Sequence, residues 1–165
     1  MASTTAVVPK FVPHDRREIR DFHAVVYLRA GRTRDPRAIG MLDAIDWVVG
    51  CEPLSPLTQQ PGQVTERTAC EEMNRAIPMR DRNTWAAGLV DALAYLVGLL
   101  SKPPLEVPRR NPDGTVVTAD ELYQEFLDSY PGSWTPTPEQ RDKARQDADV
   151  TAVRWQRIAA EIASP

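Results

Sequence analysis

Histidine and cysteine occur only twice each in these 165 residues, lysine three times, and there is no long uninterrupted apolar run. Each shortage closes off a class of function. A Ser-His-Asp or Cys-His catalytic set has only His14 or His23 to draw on. A two-Cys, two-His zinc site would need Cys51 and Cys70 with both histidines, and no pair among these four stands at close ligand spacing. Two cysteines in a chain without an export signal read as free thiols. Met1 to Val8 has neither a basic start nor an apolar centre, and the longest apolar stretch is broken by Asp91. The expectation is a cytoplasmic protein that does not enter a membrane. Neither a glycine-rich phosphate loop nor a zinc-protease helix motif occurs.

What the chain does have is one apolar segment of clear period. Trp85, Leu89, Leu93, Leu96 and Leu100 form a helical stripe, and Ala87, Gly88, Ala94 and Gly98 lie on the other side with Asp91. The spacing predicts a buried central helix over 85–100 that neighbours can approach closely. The 15 prolines fall between the apolar segments and separate them.

Around that centre, residues 1–13 read as a flexible N-terminal arm and 14–165 as a single helical domain. A first helix is expected from Asp15 to Ala30, stopped by Gly31, and a second from Asp35-Pro36 to about Gly50. Pro53, Pro56 and Pro61 make 51–63 a long ordered loop, followed by a helix over 65–77 burying Ala69, Met73 and Ile77. Asn111-Pro112-Asp113-Gly114 supplies a turn for a β-hairpin over 105–117. Thr118 with Glu121, and Thr137-Pro138 with Gln140, are capping boxes for the last two helices. In the final helix Ala148, Ala152, Trp155, Ala159 and Ile162 recur at heptad-like steps. The predicted fold is mostly α: a compact bundle of five or six helices with a small β-hairpin between the fourth and fifth.

Net charge is −3, yet residues 1–40 hold eight Lys/Arg against four Asp/Glu. Arg16, Arg17, Arg20, Arg32 and Arg34 are the candidate anion-binding side chains, with a solvated helix face as the plain alternative. No helix-turn-helix pattern or regular aromatic interleaving accompanies them, so nucleic-acid binding through the basic end rests on charge alone. Trp47, on the predicted polar side of the second helix beside Asp43 and Asp46, is a candidate protein-binding anchor unless the 51–63 loop folds over it. Tyr130 and Trp134, flanking Pro131-Gly132, are the second candidate edge.

Glu71-Glu72 on one helix and Asp91, in Leu89-Val90-Asp91-Ala92-Leu93-Ala94-Tyr95-Leu96, on the next resemble the all-α nucleoside triphosphate pyrophosphohydrolases. That resemblance implies Mg²⁺ held by carboxylates of two adjacent helices. The family repeats its acids three apart, where this chain has Arg75 after Glu72 and Gly88 before Asp91. A broader stretch, about residues 37–105, resembles small actinobacterial proteins found on plasmids, phages and integrated elements. It runs through Ala44-Ile45-Asp46-Trp47-Val48-Val49-Gly50, Pro53-Leu54-Ser55-Pro56-Leu57-Thr58, Glu71-Glu72 and Trp85 to Leu96. This second resemblance implies a setting and no reaction. The expected function is therefore non-catalytic protein binding or self-association, without catalytic residues, metal or cofactor. A Mg²⁺-dependent pyrophosphohydrolase using Glu71, Glu72 and Asp91, and non-specific nucleic-acid binding, are the alternatives.

Overall fold

A computed structural model describes residues 6–164 of the chain. Six α-helices are present among them: α1 (Arg16–Thr33), α2 (Pro36–Val48), α3 (Glu66–Ala76), α4 (Thr84–Leu96), α5 (Ala119–Asp128) and α6 (Pro138–Ala163). The class is all-α, and none of the helices is long and apolar enough to cross a membrane. The described residues group into two compact units, divided between Glu106 and Val107.

In the first unit the helix starts follow from short polar side chains that accept otherwise unpaired N–H groups. Asp15 accepts from Arg17 N at 2.7 Å, Asp35 from Arg37 N at 3.0 Å, and Asn83 from Ala86 N at 3.1 Å. Gly31 does not stop α1. A helical glycine costs only about 1 kcal/mol relative to alanine, and the helix continues to Thr33 before Arg34 takes a left-handed φ of 50°. The arm expected over 1–13 has residues 1–5 outside the described residues. Its described part is tied down: Val7 N–H donates to Val49 O at 3.1 Å and Val12 is buried.

Helix α4 packs on α2 and α3, and Leu89, Leu93 and Leu96 are fully buried as their spacing predicts. Leu100 is not, because α4 ends at Leu96 and Gly98 (φ 83°) turns the chain away, leaving Leu100 exposed. Ile77 likewise falls outside the core, since α3 gives way at Ala76 to a single 3₁₀ turn over Ile77–Met79.

The α2–α4 crossing is set by two glycines. A methyl group on Gly40 would lie 2.0 Å from Trp85 O, and one on Gly88 would lie 1.9 Å from Arg37 O. The two backbones are thus in mutual contact, at a separation only hydrogen can fill. Both glycines are buried, as are Ala44 and Ala92 one turn further along the same two helices.

Tyr95 closes the same unit at the α1 side. Its ring is fully buried, stacked on His14 at 3.9 Å and edge-on to Phe22 at 5.1 Å, and its hydroxyl donates to Glu18 Oε1. Burial first, and then the Glu18 carboxylate, push the phenol well above the usual tyrosine range. In the unfolded chain the phenol loses its proton near its ordinary value of about 10. The folded state retains it there, so more protons are bound folded than unfolded and stability falls as pH rises past that point. We expect the urea midpoint to drop steadily between pH 9.5 and 11.5, with a visibly shallower drop for Tyr95→Phe.

Among the described residues the second unit contains no hairpin of two strands. The turn forms as its residues dictate, Asn111 N–H donating to Thr115 O at 2.8 Å and Gly114 N–H to Asn111 O at 2.8 Å, but pairing stops at one isolated bridge, Arg110 with Val116. The second segment ends at Thr118, which already caps α5, and two short segments without a third strand do not form a sheet. Helices α5 and α6 then begin at the two capping boxes read from the sequence, Thr118 with Glu121 and Thr137 with Gln140. They pack against each other, with Arg145 bridging to Asp120 at 2.7 Å.

Candidate functional site

In the first unit, the segment 51–63 leaves α2 at the left-handed Gly50 (φ 83°) and doubles back through a bridge between Leu54 and Pro61. Glu72 of α3 holds it. This carboxylate is only 3% exposed, and Oε1 accepts the N–H groups of Leu57 and Thr58 while Oε2 accepts the Thr58 hydroxyl at 2.7 Å. Since Thr58 Oγ1 donates to Glu72, it accepts from Ser55 Oγ at 2.7 Å, and Ser55 Oγ accepts Gln60 N–H at 2.9 Å. Every proton in this chain therefore points toward the carboxylate. Three donors compensate the buried charge.

Between the loop and α3 lies a cleft of about 190 Å³. Its walls include Gln60, Gln63, Thr68, Glu71 and Arg75, and Trp47 also lines it. Trp47 is 4% exposed, so it is not the outward anchor its position on the polar side of α2 suggests. The loop that could cover it shares the cleft with it. Its indole Nε1 nevertheless has no hydrogen-bond partner among the described residues, whereas no side-chain N or O sealed from solvent lacks one. The indole N–H is therefore not sealed from solvent, and the residue that carries it lines the cleft.

Asp43 and Asp46, the polar neighbours of Trp47 in sequence, serve helix packing. Asp43 accepts the indole N–H of Trp85 at 2.7 Å, and Asp46 is 2.7 Å from Nε2 of His23. These acids join α2 to α4 and to α1. Cys51, at the end of α2, is exposed, and its thiol is pushed up first by desolvation and then by Asp46 and Glu52. That is the opposite of what a nucleophilic cysteine requires.

The three carboxylates suggested for Mg²⁺ do not come together. Glu71 is paired with Arg67 at 2.9 Å on the solvent face of α3, Glu72 is occupied by the loop, and Asp91 accepts from Arg37 Nε at 3.1 Å and Nη2 at 2.7 Å. Arg80 stands 3.9 Å from the other oxygen of Asp91. Among the described residues no group of three or more metal-ligating side chains is placed to hold an ion. The residues present do not fit Mg²⁺, and no step through the metal follows from them.

The arginines divide between the two ends of one helix. Arg16, Arg17 and Arg20 are exposed on the first turns of α1, and Arg32 and Arg34 are exposed at its far end. Sixteen residues of helix put about 24 Å between Arg16 and Arg32. They do not form one cradle. In the second unit Tyr130 is half-buried, edge-on to Phe126 at 5.4 Å, while Trp134 is 74% exposed in the α5–α6 connection.

Comparison with protein-family models, curated proteins and solved structures finds no match. Thr58, Gln63 and Arg75 are site residues that sequence reasoning did not select. Only the closure of the loop onto α3 brings them beside Trp47.

Proposed function

We propose that this is a non-catalytic protein that works by self-association through its α5–α6 hairpin. One observation carries the reading: α5 buries none of its residues, and α6 buries only Ala148 and Ala152. Leu122, Tyr123, Phe126, Leu127, Trp155 and Ile162 remain half-covered. Two helices that bury no large side chain gain little of the roughly 1.5 to 3 kcal/mol that each such group can contribute. At 1.5 Å per residue, α6 is about 39 Å long and α5 about 15 Å, so most of the α6 stripe extends past the length of its partner.

A second copy of the chain is the partner its charges favour. Helix α5 carries Asp120, Glu121, Glu125 and Asp128 with no basic residue, and α1 carries five arginines against Glu18 and Asp21. Each copy thus offers the opposite sign to the other. The heptad-like run from Ala148 to Ile162 is the pattern by which one helix seats on another, and Tyr130 and Trp134, in the α5–α6 connection, are candidate contacts.

The expected result is a mass of twice the chain by light scattering at tens of micromolar. Ile162→Arg is expected to return it to one chain mass with its helical circular dichroism intact. One chain mass for the unaltered protein up to several hundred micromolar would reject the reading. The resemblance over about residues 37–105, and the use of only three lysines among 20 basic residues, support a setting on an actinobacterial phage or mobile element, within the cytoplasm.

A further inference from the structure

Several hydrogen-bond donors on the walls of the Trp47 cleft have no acceptor among the described residues. Its acidic residues are already compensated: Glu72 by two backbone N–H groups and the Thr58 hydroxyl, and Glu71 by Arg67 at 2.9 Å. Three donors on its wall are not: the Gln63 side-chain amide, the Arg75 guanidinium and the Trp47 indole N–H. Arg75 makes no ion pair or side-chain hydrogen bond among the described residues, and the indole N–H of Trp47 has none although the ring is 96% covered.

We propose that this cleft is a binding site for a small organic carboxylate, one oxygen accepting from Trp47 Nε1 and the pair of oxygens facing the Arg75 guanidinium. The chemistry follows from the donors. One uncompensated guanidinium matches a single negative charge, and its fork matches two coplanar oxygens. A phosphate dianion would bring twice the charge to a cleft with one free cation and Glu71 on its wall. Pro61 and the indole give the remainder of a short acid an apolar wall. The site lies wholly within residues 1–106, so it stands or falls independently of self-association.

The test is titration of the full-length protein with sodium propionate, followed at the indole N–H resonances in ¹H–¹⁵N spectra at constant ionic strength. The Trp47 resonance is assigned by its loss in Trp47→Phe, and Arg75→Gln, a substitution on an exposed helical position, keeps the fold if the first variant does not. Expected is a saturable downfield shift of one indole resonance, at least fivefold weaker in Arg75→Gln and absent with propionamide. A carboxylate supplied instead by the C-terminus of a peptide would show as tighter binding of acetyl-Gly-Gly than of propionate at the same resonance. No saturable shift with either acid, or an equal response to propionamide or inorganic phosphate, would overturn the assignment.

Discussion

Gly40→Ala and Gly88→Ala are each expected to lower the unfolding free energy by about 3 kcal/mol or more, read as a drop in urea midpoint at unchanged slope. In an open helix the same change is favourable by up to about 1 kcal/mol, because alanine is the better helix former. Here sterics reverse the sign. The added methyl would stand 2.0 Å from Trp85 O or 1.9 Å from Arg37 O, and those atoms are backbone, which cannot rotate away. The helices would have to separate by about an ångström or more, opening the rest of the α2–α4 contact as well. Because both substitutions spoil one crossing, the double variant is expected to cost less than the sum. Gly31→Ala provides the control within the same protein. It lies in α1 with nothing within 4 Å of the added carbon, and a small gain in stability is expected there. Unchanged stability in Gly88→Ala would show that α2 and α4 do not meet as described.

Glu72→Ala is expected to cost about 3 kcal/mol and to release the 51–63 segment before the helices unfold. Removing the carboxylate leaves two backbone N–H groups and a hydroxyl facing a void, and unsatisfied buried donors cost about 1 to 3 kcal/mol each where water cannot reach them. The estimate sits at the low end because Leu57 and Thr58 are only half-buried, so water can replace part of what is lost. Glu72→Gln keeps one acceptor oxygen for the two N–H groups but brings an NH₂ to Thr58. The hydroxyl chain must then reverse, and Ser55, already accepting Gln60 N–H, loses its proton acceptor. An intermediate loss is expected. Native-state hydrogen exchange separates local from global effects: the Leu57 and Thr58 amides should exchange much faster in Glu72→Ala, while the α4 amides change only with global stability. Protection of the loop amides equal to that in the parent would reject the role assigned to Glu72.

Features with a local cause were legible in the sequence. The cap at Asp35-Pro36 and the boxes Thr118/Glu121 and Thr137/Gln140 each draw donor, acceptor and helix start from within four residues, and the helices begin there. Leu89, Leu93 and Leu96 share a face by helical period alone. Features needing a partner from elsewhere were read less well. The turn at 111–114 is correct in chemistry, yet it yields one bridge because strand pairing depends on neighbours the segment lacks. Asp43 and Asp46 look like a solvated face until Trp85 and His23 arrive from other helices to use them. Trp47 looks outward for the same reason.

The sequence by itself determined that the chain is mostly helical, where most helices start and that Leu89, Leu93 and Leu96 are hidden, since these depend on interactions spanning at most a turn or two. The tertiary structure alone decided that Gly40 and Gly88 bring two backbones into contact, that Glu72 holds a loop, and that Trp47 and Arg75 line one cleft. Those are relations between segments distant along the chain, and no short-range pattern encodes the distance at which folding brings them together.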